Sequence, residues 1–165
     1  MPKYLKYIIS IAIVFAASAI GSLFTTPSIS GWYMTLNKPS FNPPNWIFGP
    51  VWTVLFIMMG VALALVWISK EGNWFTRFFK GNHLKLWAIT AFAVQLILNV
   101  FWSIFFFGLH NPLLAFVDII FLWLAIVINI YFFYKINKTA AYLLIPYILW
   151  VSFAAFLNLT IVLIN

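Results

Sequence analysis

The chain has 165 residues, 65% of them hydrophobic and 7% charged. A water-soluble domain carries about 25% charged residues, so this composition excludes a water-soluble fold and implies lipid as the solvent. Nine Lys+Arg against two Asp+Glu give a net charge of +7, but the basic residues sit in short segments between apolar runs, which points to control of membrane topology rather than nucleic-acid binding. Cysteine is absent, which excludes disulfides, thiolate catalysis and cysteine-ligated iron–sulfur or zinc sites.

Five apolar runs, at about 5–24, 46–68, 84–107, 112–134 and 140–163, each approach the length needed to cross a bilayer. Backbone polar groups in lipid must be satisfied within the segment, so these runs predict helices; they are too long and too uniformly apolar for barrel strands. The first follows Lys3 and Lys6 and contains Ala17-Ser18-Ala19, features shared with cleavable signals. Its continuation through Phe24 favours a retained span. Its small-residue pairs, Ala12/Ala16 and Ala17/Gly21, permit close helix packing. Between the first two runs lies a segment crowded with proline and tryptophan: Trp32-Tyr33, Lys38-Pro39, Pro43-Pro44, Trp46, Phe48, Pro50 and Trp52. Proline removes a backbone donor and locks φ, whereas tryptophan offers a broad rigid face with one N–H. A stiff aromatic lip of this kind suits a flat apolar ligand. The fold class expected is all-α: one domain over 1–165, an integral membrane bundle of five transmembrane helices with a long Pro/Trp-rich loop between the first and second.

With five spans, the N-terminus and the second and fourth loops share one side. That side carries Lys3, Lys6, Lys70, Arg77, Lys80, Lys85, Lys135 and Lys138; the other carries Lys38. The positive-inside rule places the N-terminus and the Lys70–Lys85 loop in the cytoplasm of a bacterial inner membrane. The Pro/Trp segment and the C-terminus then face outward.

Polar groups inside a membrane are costly and therefore informative. Gln95, Asn99 and Trp102 share one face of the third span, and Trp150, Ala154 and Asn158 one face of the fifth. Either these stripes line a shared cavity, with amides donating to ligand carbonyls or carboxylates and indoles stacking on rings, or the amides hold helices together. Trp67, Trp74 and Trp87 fit an interfacial aromatic belt; Trp102 fits it less well because it shares a face with amides. The fourth span contains Asn129 and Asp118, the latter the one acid expected within the membrane. Asp118 is readable as a proton relay, a cation site or, as we favour, an acceptor from a neighbouring helix. No metal site is expected: His83 and His110 fall on opposite sides of the membrane. No Ser-His-Asp set can be assembled, and neither phosphate-binding glycine motif is present. Lys38 is readable as a partner for a ligand carboxylate or as a snorkelling interfacial lysine.

Three blocks resemble the TspO family, the tryptophan-rich sensory proteins of bacteria and the translocator proteins (peripheral benzodiazepine receptors) of mitochondria. They are Trp32-Tyr33 through Lys38-Pro39-Ser40 to Pro43-Pro44-Asn45-Trp46-Ile47-Phe48-Gly49-Pro50-Val51-Trp52-Thr53; Gln95-Leu96-Ile97-Leu98-Asn99 with Trp102 and Phe105-Phe106; and Pro146-Tyr147-Ile148-Leu149-Trp150 with Phe153-Ala154 and Leu157-Asn158. The resemblance implies a five-helix bundle, a homodimer, and a pocket on the side of the first loop. Its implied ligands are protoporphyrin IX or a related tetrapyrrole, with isoquinoline and benzodiazepine drugs, and in mitochondrial relatives cholesterol. No obligatory cofactor is implied; the porphyrin is ligand or substrate. The ligand-binding positions carried over are Trp32, Trp46, Trp52, Asn99, Trp102, Trp150 and Ala154, to which Lys38 is added as the basic residue on that side. Trp52 and Trp150 match tryptophans implicated in light- and oxygen-dependent porphyrin breakdown, and would be catalytic if that reaction occurs.

Two departures stand out. The sterol-recognition pattern of animal relatives needs Tyr and then a basic residue late in the fifth span, where this chain reads Asn158-Leu159-Thr160-Ile161-Val162-Leu163. Asn42 stands where animal relatives carry histidine. The functions to weigh are therefore a tetrapyrrole sensor, sequestering protein or transporter; a photo-oxidative porphyrin-degrading enzyme; a sterol or lipid transport protein; and a structural or signalling partner.

Overall fold

The computed structural model describes residues 1–69 and 83–165; the expectations for Lys70, Trp74, Arg77 and Lys80 lie outside them. Helix α1 (Lys3–Ile29) follows Pro2 and runs into a single turn, α2 (Trp32–Thr35). Residues 36–44 are non-helical, because Pro39, Pro43 and Pro44 lack the donors a helix needs. Pro44 adopts φ −54° and ψ 140° and delivers the chain to α3 (Asn45–Ile68). The Pro/Trp run thus divides. Its first half forms α2 and the connector, while Trp46, Phe48, Pro50 and Trp52 ride on the first turns of α3. Pro50 has no N–H, so the Trp46 carbonyl has no helical donor.

Helix α4 (His83–Ser103) continues as a π-turn over Ile104–Gly108, where the Leu109 N–H donates to the Ile104 carbonyl at 2.8 Å. Asn111 then caps α5 (Pro112–Ile136): its side-chain oxygen accepts from the Leu114 N–H at 2.9 Å, and Pro112 occupies the first turn, where no donor is needed. Asn137 repeats the device for α6 (Lys138–Tyr142), accepting from the Ala140 N–H at 3.1 Å. The run expected to be continuous over 140–163 is broken at residues 143–144. Pro146, in the first turn of α7 (Ile145–Ile164), cannot bond back to the preceding turn.

Among the described residues, five helical segments are long and apolar enough to cross a membrane: α1, α3, α4 with its π-turn, α5, and α6 with α7. Lipid tails are as apolar as leucine, so these helices associate through close packing and hydrogen bonds. Helices α1 and α3 touch backbone to backbone at Gly60, where an added Cβ would lie 2.7 Å from Ile11 Cα. Helix α1 approaches α4 at Gly21, whose Cβ position is 3.2 Å from Ser103 Oγ. The stacked Phe92–Phe133 pair joins α4 to α5 at 5.9 Å. Trp123 Nε1 on α5 donates to Ser152 Oγ on α7 at 2.9 Å.

Two apolar clusters result. One surrounds Val14, Met59, Phe92, Ile126, Phe133 and Val151. The other, around Tyr33, Phe106, Phe107, Ala115, Leu157 and Ile161, lies under α2. The site occupies the space beside them.

Candidate functional site

A cavity of about 500 Å³ opens among α1, α2, α3, α4 with its π-turn, α5 and α7. Its indole walls come from Trp52 on α3, Trp102 on α4 and Trp150 on α7. Each ring is held by an aromatic neighbour. Trp52 stacks on Phe56 (centroids 5.2 Å apart) and meets Tyr147 edge-on at 6.2 Å. Trp102 stacks on Phe106 at 5.1 Å; Trp150 lies edge-on to Phe48 at 5.9 Å. Such pairs contribute about 0.5–1.5 kcal/mol beyond their burial and bias the orientation of each ring.

Polar atoms are sparse and placed. Trp102 Nε1 donates to Asn158 Oδ1 at 3.0 Å, and Asn158 Nδ2 donates to the Pro112 carbonyl at 2.8 Å, tying α4, α5 and α7 together. Asn99 Nδ2 donates to the Tyr147 hydroxyl at 3.1 Å, which leaves the Asn99 side-chain oxygen as an acceptor in the wall. Trp150 Nε1 is buried without a hydrogen-bond partner among the described residues. The lining contains no charged side chain among the described residues.

The structure brings together six of the residues singled out from sequence: Trp46, Trp52, Asn99, Trp102, Trp150 and Ala154 all line the cavity. Trp46 stands at its rim, 73% exposed. Trp32 and Lys38 are not in the lining. Trp32 stacks on His110 at 4.5 Å and meets Phe106 edge-on at 5.5 Å, so it buttresses the wall from outside. Lys38 Nζ lies 4.6 Å from the centre of the Tyr33 ring and donates to the Leu36 carbonyl at 3.3 Å. Of the third-span stripe, Gln95 points elsewhere: it is fully buried, and neither amide atom has a partner among the described residues. Asp118 is also buried, and its Oδ2 has no hydrogen-bond partner there, so the cross-helix bond expected of it is not formed at that atom.

Sequence reasoning missed Tyr33, Phe106, Phe107 and the α1 residues Ser18, Gly21, Ser22 and Thr25, which also line the cavity. The α1 stripe at steps of three and four was the available signal. Tyr33 donates its hydroxyl to Asn42 Oδ1 at 3.1 Å; burial pushes its phenol above the ordinary tyrosine range, and the Asn42 bond partly offsets this. Asn42 is absent from the lining and reaches the cavity through Tyr33.

Residues 10–164 match the TspO/MBR family. The chain belongs to that family. It is 45% identical to the tryptophan-rich protein TspO of Chlorobaculum tepidum, over 99% of this chain and 98% of that one. Against the protein of the same name in Archaeoglobus fulgidus the identity is 44%, with 98% and 97% covered. The human translocator protein is 35% identical over 84% of this chain and 78% of its own. Family membership and the five spanning segments make this a multi-pass integral membrane protein.

Proposed function

We propose that this protein binds a planar tetrapyrrole of the protoporphyrin IX class in the cavity and acts as a membrane sensor or carrier for it. The observation that carries this reading is a cavity of about 500 Å³ walled by three indoles and free of charged side chains among the described residues. That volume lies within the range of small-molecule pockets, about 300–1,000 Å³. Indole faces stack on a flat macrocycle. The Asn99 oxygen, on a residue in the lining, supplies an acceptor to orient it. The names of relatives, translocator protein and tryptophan-rich sensory protein, support a sensing or transporting role.

The test is titration of the detergent-purified protein with protoporphyrin IX, read by tryptophan quenching in the dark. Saturable quenching, competed by a neutral isoquinoline ligand, is the expected result; quenching that never saturates removes the reading. Illumination in air then separates carrier from enzyme. Trp52 and Trp150 both face the cavity, and indole is an electron donor to an excited porphyrin. Protein-dependent loss of the porphyrin band, abolished in Trp52→Phe or Trp150→Phe while binding survives, would favour degradation.

A further inference from the structure

We propose that the seam between α1 and α3 is a lateral portal, through which an amphiphile dissolved in the bilayer reaches the cavity. The proposal rests on the ligand reading above. Two contacts set the register of these antiparallel helices: Gly60 against Ile11, and the edge-on Phe15–Phe56 pair at 6.3 Å. Continuing that register places Ser18 opposite Thr53, Ser22 opposite Gly49, and Thr26 opposite Asn45. All six residues line the cavity, and Ser22, Thr26, Asn45, Gly49 and Thr53 are also exposed. A Cβ built on Gly49 meets nothing within 4 Å. The helices therefore close on each other at Ile11–Gly60 and part above the Phe15–Phe56 pair. The open stretch, from Ser18 to Thr26, is about 12 Å long at 1.5 Å rise per residue.

The chemistry of the rim agrees with a lipid-facing opening. Three of the hydroxyl residues along it turn back onto their own helices: Ser22 Oγ donates to the Ala19 carbonyl at 2.8 Å, Thr25 Oγ1 to the Gly21 carbonyl at 3.1 Å, and Thr53 Oγ1 to the Gly49 carbonyl at 2.9 Å. Satisfied in this way, those three offer methylene and methyl groups to a passing ligand. At the end of the bundle, the alternative route, the connector is pinned to α7. There the Asn37 N–H donates to Asn165 Oδ1 at 2.9 Å, Asn165 Nδ2 donates back to the Asn37 carbonyl at 3.1 Å, and Phe41 stacks on Phe156 at 5.2 Å.

The experiment uses the cysteine-free full chain in liposomes. A spin label on Ser22→Cys should collide more with oxygen, which concentrates in lipid, than with a water-soluble nickel chelate. Dominance of the chelate means an aqueous opening, and protection from both means a second copy over the seam; either overturns the proposal. In the second arm, protoporphyrin IX is delivered from loaded vesicles. Gly49→Trp should slow association about tenfold, because its side chain enters the seam, and association rate is the proper readout since altered contacts act mainly on dissociation. A disulfide between Asn37→Cys and Asn165→Cys, which locks the other end, should leave association at the wild-type rate. Slowing by the disulfide, or none by Gly49→Trp, overturns the portal. A wild-type chain that takes up no porphyrin removes the ligand reading, and the spin-label comparison alone then decides the portal.

Discussion

At Gly60, two helices meet with no side chain between them. In a bilayer, lipid tails compete with apolar side chains for the same contacts, so backbone approach carries much of the association. A methyl at this position would sit 2.7 Å from Ile11 Cα and 2.8 Å from Ile11 Cγ1. Backbone cannot move aside as a flexible side-chain end does. Gly60→Ala is therefore expected to destabilise the protein by about 1–3 kcal/mol, the usual cost of overpacking; a denaturant midpoint in detergent equal to wild type would refute this. Asn158 presents the complementary case, a buried amide with both ends paired, to Trp102 and to the Pro112 carbonyl. Asn158→Leu leaves the part-buried Trp102 N–H without its acceptor, at a cost of about 1–3 kcal/mol. The checks are the same midpoint and a shift in tryptophan emission. Of these two residues Asn158 was legible in the sequence, since it repeats Trp150 and Ala154 at steps of four. Gly60 was not, because a glycine in an apolar run carries no mark of what it touches. Lys38 and Trp32 stand apart from the residues that line the cavity. They lie in and beside the connector, where no long helical period fixes direction, and each packs behind a lining residue, Trp32 on Phe106 and Lys38 on Tyr33.

At the scale of elements, the five spans were legible because runs of about 20 apolar residues have few alternatives in lipid. The interruptions were not all so clear. The break at residues 143–144 carried a signal in Pro146. The π-turn over Ile104–Gly108 carried none, because an i→i−5 bond is selected by packing around Phe106 and Phe107 rather than by residue type. That turn places Phe106 flat against Trp102 and edge-on to Trp32, so it shapes the cavity wall. The connector depends on a different device, the paired bonds between Asn37 and Asn165. Both bonds are exposed, and such bonds contribute only about 0.5–1.5 kcal/mol each. Asn165→Ala is therefore expected to raise amide exchange across residues 36–44 by about tenfold, the factor that 1.4 kcal/mol represents. Exchange in α3 and α7 should stay at wild-type rates; uniform acceleration everywhere would mean that the pair supports the whole bundle.

The whole molecule is polarised by its cations. At one end, Lys6 lies 5.6 Å over the Trp67 ring, and Lys85 Nζ donates to the Trp67 and Ser69 carbonyls at 2.9 and 3.1 Å. At that same end Lys135 and Lys138 sit over the rings of Tyr131 and Tyr134 at 5.3 and 5.5 Å. Helix starts of α1 and α4 and helix ends of α3 and α5 all meet there, joined by the bond from Asn137 Nδ2 to Ser69 Oγ at 3.3 Å. Lys38 stands alone among the described lysines at the other end, with Asn165. Moving one positive charge across a membrane against the potential costs about 2.3 kcal/mol per 100 mV. Inverting the bundle would carry several lysines outward in exchange for one, so the potential alone separates the two orientations by many times RT. The expected topology puts the Lys6–Lys138 end in the cytoplasm. Because the chain lacks cysteine, two exposed positions report it without background: Ser40 in the connector and Thr139 in α6. In a bacterial inner membrane, Ser40→Cys should react with an impermeant maleimide once the outer membrane alone is opened, and Thr139→Cys only after the inner membrane is breached. The reverse pattern would mean that a determinant other than lysine distribution sets the orientation, and labelling of both sites from outside would mean that the chain inserts both ways.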